Sequence, residues 1–219
     1  MKKISIILGF TFLLIFLCSC LNTLHPIFTE KDLAYDPRLI GTWKVDSTEN
    51  KRRVVITNLS TESSIDLPGN ISSIKQKGYL ISYQDENGTT SERYIAFLAR
   101  IGKHLYFDYY PANKKEELKM IDEFFGAHLL KMHTSYRVEI LNDGSFELSQ
   151  LDGLYVESLI DQKKIRISHE AFGYDDGHDG HEGYNGILIT ASTSELQQYL
   201  IKYSDEPEAY ESEKIIFKK

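Results

Sequence analysis

Cysteine is almost missing from this chain of 219 residues, which carries only Cys18 and Cys20. Both stand within the first twenty positions, so the remaining body has no disulfide to draw on and must be held by packing alone. Thiolate metal sites and a cysteine nucleophile are thereby excluded from that body. Proline is scarce at 5 residues, and tryptophan occurs once, at Trp43. A basic excess is lacking as well: 25 Lys and Arg face 32 Asp and Glu, a formal charge of -7. Nucleic-acid binding needs basic patches that neutralise phosphates, and the one cluster, Lys51-Arg52-Arg53, flanks a predicted strand. Nucleic acid is not an expected partner. The chain also has no Gly-x-Ser-x-Gly elbow, Walker loop, Rossmann fingerprint or His-Glu-x-x-His helix. No cofactor is expected, and catalysis finds no support in local motifs, although catalytic groups can meet in space from distant positions.

One long apolar run is present. It extends from Ile4 to Phe16, follows Lys2 and Lys3, and leads into Leu17-Cys18-Ser19-Cys20. A membrane span needs about 20 predominantly apolar residues, so this run is too short for one. A charged start, a short apolar stretch and a small residue at the end are the parts of a secretory signal peptide. The pattern resembles the lipobox of bacterial lipoproteins, with Leu17 three places and Ser19 one place before Cys20. The resemblance implies removal of residues 1–19 and acylation of Cys20, which anchors the remainder to the cell membrane or outer membrane, outside the cytoplasm. Each buried methylene of such chains contributes about 0.8 kcal/mol. Cys18 as acceptor would put Leu17 at the cleavage point, where the lipobox requires a small side chain. The expected organisation is a signal peptide over 1–19, a partly docked tether over 20–36, and a single β-rich domain over 37–219.

The body alternates like a sheet. Asp36-Pro37-Arg38-Leu39-Ile40 predicts one helical turn with Asp36 as N-cap and Pro37 at its first position, followed by a strand from Gly41 to Val45. Arg53 to Leu59 and Ile71 to Gln76 are strand candidates. Tyr79, Ile81 and Tyr83 alternate with Leu80, Ser82 and Gln84, and Asn87-Gly88 predicts a type I′ hairpin before a strand from Arg93 to Ile101. That strand is apolar on both faces, as a doubly covered strand should be. Gly102-Lys103 suits a type II′ turn into His104 to Tyr110, and Asn142-Asp143-Gly144 joins Tyr136–Leu141 to Ser145–Gln150. Helices are predicted over Asn113 to Leu130, over Asp152 to Leu159, and from the Ser192/Glu195 capping box to about Asp205. Short strands are expected at 164–168, 187–190 and 215–217.

The entry through Gly41 and Trp43 resembles the start of calycins, the lipocalin-like barrels, whose tryptophan closes one barrel end beneath a basic side chain of the last strand. Asp108-Tyr109 echoes their second motif, whereas the arginine of their third has no counterpart here, only Lys218 and Lys219. Asp36-Pro37, Leu39, Gly41-Thr42-Trp43 and Thr190-Ala191-Ser192-Thr193 also resemble a family of bacterial proteins that carries no assigned activity. The expected fold is mainly β (α+β): an antiparallel meander forming a lipocalin-like barrel or strongly curved sheet, with an inserted helix and a C-terminal helix packed on it.

Candidate functional residues fall in two groups. Trp43, Tyr83, Tyr94, Tyr106 and Tyr109 supply ring surface for a small apolar ligand, since tyrosine buries its ring while its hydroxyl meets water or a partner. Asp175, His178, Asp179 and His181 are metal-ligand types in a glycine-rich loop, without the spacing of a calcium loop. His104, His128, His133 and His169 are scattered, and would support catalysis if two or more met carboxylates in a cleft. Three functions remain open: a carrier of a small apolar ligand or envelope component, a module docking an envelope protein, and an enzyme.

Overall fold

Trp43 is 1% exposed, with Phe146 edge-on at 4.8 Å, and Phe146 in turn stacks on Phe217 at 4.4 Å. Three rings from distant parts of the chain thus meet in one core. In the computed structural model the described residues are 21–46, 52–63, 73–85, 87–112, 131–176 and 182–219. Cys20, the predicted helix over 113–130 with His128, and His178, Asp179 and His181 lie outside them.

The chain enters through two short strands, β1 (Asn22–Thr23) and β2 (Leu33–Ala34). A single 3-10 turn, Pro37–Leu39, is capped by the Asp36 side chain, which accepts from the Arg38 amide. The meander follows: β3 (Gly41–Asp46), β4 (Arg52–Asn58), β5 (Gly78–Gln84), β6 (Thr90–Ile101), β7 (His104–Pro111), β8 (His133–Ile140) and β9 (Phe146–Leu151). Then come α1 (Gly153–Asp161), β10 (His169–Asp176), β11 (Glu182–Ile189), α2 (Thr193–Tyr203) and β12 (Tyr210–Lys218).

Strands β3 to β9 pair in sequence, and β12 inserts antiparallel between β9 and β3, which closes an eight-stranded antiparallel barrel. The expected choice between barrel and curved sheet resolves to the closed form, because Phe217 pairs with Val45 on one side and Phe146 on the other. Closure leaves the barrel strands no free edge there. Strands β10 and β11 form an outer hairpin joined through β1 to the start of β8.

Period-two alternation sorts the side chains into two cores. Val54, Ile56, Ile81, Leu98, Phe107 and Leu148 fill the barrel with the three rings above. Leu80, Ile95, Phe97, Ala99 and Ile101 face outward and are covered by Leu21, Ile27, Phe28 and Leu33 of the entry segment and by Leu196, Tyr199 and Leu200 of α2. Strand β6 is therefore apolar on both faces, as its sequence predicts. The segment expected as a tether docks along its described length, because its apolar side chains cover this outer core.

Several local expectations shift. Lys75–Lys77 is a 3-10 turn rather than part of a strand, and β5 begins at Gly78. The Asn87-Gly88 turn is not type I′: only Gly88 has a positive φ, at 82°, and the Asp85 side chain accepts from the amides of Asn87 and Thr89 instead. Residues 164–168 are not a strand; the chain leaves α1 through Lys163 at φ 56°, and pairing starts only at His169. Gly102, at φ 58° with Lys103 on the ordinary side, fits the expected type II′ geometry. Ser192 caps α2 as predicted, and Asp152, where a helix was expected to begin, caps α1.

Candidate ligand-binding site

One barrel end is sealed by the turn at Pro37–Leu39. Leu39 packs on the barrel core, its carbonyl accepts from Trp43 Nε1 at 3.0 Å, and the Lys219 ammonium lies 5.0 Å from the Trp43 ring centre. Lys219, the residue after β12, thus lies over the tryptophan ring at this end. Tyr79 belongs to the same end. Its hydroxyl accepts from the Asp36 amide at 2.7 Å and donates to the Asp36 carbonyl at 3.2 Å. Burial raises its pKa far beyond the usual tyrosine range.

Four residues along β5, roughly 13 Å at the strand rise, Tyr83 lines the other end. There a cavity of about 460 Å³ opens, walled by Tyr83, Tyr94, Tyr109 and Tyr136 with Glu92 and Met132. Pro111, Thr134 and Asn22 complete it. The rings meet at steep angles: Tyr83 and Tyr94 at 6.0 Å and 88°, Tyr94 and Tyr109 at 5.8 Å and 59°, Tyr109 and Tyr136 at 5.0 Å and 63°. Edge-to-face contacts fix each ring by its neighbour and so preform the walls. The Tyr94 hydroxyl donates to Glu92 Oε2 at 3.3 Å. Tyr109 is held well above the usual tyrosine range, chiefly by burial and then by neighbouring Tyr83, so its hydroxyl stays protonated.

Three of the five aromatics singled out from sequence meet in this cavity. Trp43 does not, being packed at the sealed end. Tyr106 points to the outer core, where its hydroxyl lies 3.1 Å from that of Tyr210. Tyr106 and Tyr109 are an odd number of residues apart on one strand and so face opposite sides. Tyr136 was missed; its alternation with Val138 on β8 was the available signal.

A second cavity, about 420 Å³, lies outside the barrel beneath the entry segment, with His25, Glu30, Phe97, Asp108, Lys131 and His133 in its wall. Asp108 is 1% exposed; one carboxylate oxygen lies 2.5 Å from His133 Nδ1 and the other accepts from the Ile27 amide at 2.9 Å. The pair pins the entry segment to β7 and β8. Thr29 lines this cavity too, but its hydroxyl donates to Asp32 at 2.6 Å. His104 instead meets exposed Asp205 at 3.1 Å, and the His169 ring contacts the Ile167 carbonyl, so these histidines do not converge. Asp175 sits in β10, opposite Gly183. Among the described residues no three His, Cys, Asp or Glu side chains are grouped to hold a metal. None of the described helices is long and apolar enough to cross a membrane.

Comparisons with protein-family models, with curated proteins and with solved structures find no match to this chain.

Proposed function

We propose that this chain is a lipoprotein of the bacterial cell envelope, anchored through acyl chains on Cys20, whose barrel binds a small, largely apolar ligand at its open end. The observation that carries the binding role is the cavity itself: tyrosine rings wall a recess in a barrel whose remaining interior is filled by Trp43, Phe107, Phe146 and Phe217. A barrel of eight strands has room for packed side chains or for one small ligand. This one divides its length between the two. The anchoring role rests on Leu17, Ser19 and Cys20 behind the apolar run.

Native mass spectrometry of the mature domain, purified without detergent, tests the first part. A copurified small molecule should appear, and should be lost when Tyr109 and Tyr136 are replaced by alanine; a ligand retained by that variant would place binding elsewhere. For the anchor, Cys20→Ser should leave the precursor uncleaved and unlabelled by radioactive palmitate. Labelling that persists would move the acceptor to Cys18.

A further inference from the structure

We propose that the mouth end of the barrel sits against the bilayer that holds the anchor, so that the ligand enters the recess from the lipid phase and not through water. The proposal rests on the reading above, an acylated Cys20 and a binding mouth, and adds the source of the ligand: it is an amphiphile dissolved in the anchoring membrane.

The length of chain between anchor and mouth is the first support. Asn22 lines the mouth. Cys20, outside the described residues, stands two places before it. Successive Cα atoms are about 3.8 Å apart, so the acylated residue stays within about 8 Å of Asn22 whatever path the chain takes.

Rigidity is the second. Asn22 and Thr23 pair with Leu188 and Ile189 of β11 on one side, and with Thr134 and His133 of β8 on the other. Leu21 is 3% exposed, and its amide donates to the Leu151 carbonyl at 3.3 Å. The fold therefore begins at the residue after the anchor, without the slack that a flexible linker would give.

Direction is the third. The place beside β8 beyond Leu21 belongs to β9, where Gln150 pairs with Tyr136, so the sheet leaves the anchor no route toward the sealed end. Ile140, which pairs with Phe146 at that end, lies six residues further along β8 than Thr134, roughly 20 Å. The mouth also has the surface of an interface. Tyr83, Tyr94 and Tyr136 are only partly buried around it, and tyrosine collects where an apolar layer meets water. An amphiphile passing straight from bilayer to recess keeps its apolar part out of water throughout.

The test uses the full chain, recovered with its acyl groups and placed in vesicles of phosphatidylethanolamine and phosphatidylglycerol that include a lipid with a nitroxide on its head group. Ser91→Cys, exposed beside Glu92 of the mouth, and Asn142→Cys, exposed in the β8–β9 turn at the sealed end, each carry a bimane label. The label at 91 should lose its fluorescence to the nitroxide while that at 142 stays bright. In the same vesicles, a phosphatidylglycerol with a diazirine in one acyl chain should attach on irradiation to mouth residues. Replacing Tyr109 and Tyr136 by alanine should reduce that attachment and leave the quenching at 91 unchanged. Equal quenching at both positions, or stronger quenching at 142, would overturn the orientation; a copurified ligand lost with the tyrosine pair would still leave the mouth as a binding site. Quenching at 91 without attachment in the mouth would overturn the lipid-phase source. A chain that does not stay on the vesicles would overturn the anchor itself, and this inference with it.

Discussion

Replacing Asp108 by alanine should detach the entry segment from the barrel. The carboxylate is 1% exposed, accepts from the Ile27 amide at 2.9 Å and holds His133 Nδ1 at 2.5 Å. Removing it orphans a buried amide, which costs about 1–3 kcal/mol, and forfeits a hydrogen bond to a charged group, worth about 1.5–3 kcal/mol. The sum is about 2.5–6 kcal/mol. Asp108→Asn keeps an acceptor for Ile27 and should cost about half as much. Because Asp108→Ala leaves His133 without this partner, the double variant with His133→Ala should be less unstable than the two single effects added together. Trp43 is the sole tryptophan and lies at the sealed barrel end, so its fluorescence during urea unfolding reports the barrel. Hydrogen exchange at the Ile27 amide reports the segment. Faster exchange with an unchanged fluorescence midpoint would mean that the segment peels alone; a lowered midpoint means that it shares the barrel's cooperativity. An alanine variant within 1 kcal/mol of wild type by both measures would refute the pin.

Two further outcomes are expected. A Cβ at Gly78 would lie 2.8 Å from Leu59 Cδ2 and 3.0 Å from Phe97 Cε1, both on buried side chains. Gly78→Ala should therefore destabilise by about 1–3 kcal/mol through overpacking, read as a lower urea midpoint with unchanged slope. The hydrogen bonds from the Arg38 side chain hold Asp36 below its ordinary value of 3.8. A carboxylate whose folded pKa is depressed stabilises above its unfolded pKa, and that contribution is lost as pH falls through the folded one. Wild type should exceed Asp36→Asn in melting temperature at neutral pH and converge with it once the pH has dropped below the aspartate range; a gap that persists in acid would assign the effect to geometry instead of charge.

Alternation and capping were legible residue by residue. Tyr79, Ile81 and Tyr83 face inward as their period requires, Asp152 and Ser192 start their helices, and Gly102 makes its turn. These features depend on neighbours within a few positions, whose sterics and hydrogen bonds act whatever the rest of the chain does. Local signals failed where another hydrogen bond claimed the backbone: Asn87-Gly88 yielded to the nearby Asp85 side chain, and pairing with β11 begins at His169, beyond the predicted strand.

The site divides the same way. That Tyr83, Tyr94 and Tyr109 belong to amphipathic strands is written in their spacing, and the opposite phase of Tyr106 was written there too. Which end of the barrel is sealed, and so which tyrosines border open space, was decided only when Leu39, Trp43 and Lys219 met across nearly the whole chain. Sequence alone determined that this is a disulfide-free antiparallel β domain, because strand period and cysteine position are local facts. Closure through β12, the Asp108 and His133 pin and the tyrosine-walled mouth came only with the tertiary structure, because each joins residues far apart in the chain whose contact no local pattern encodes.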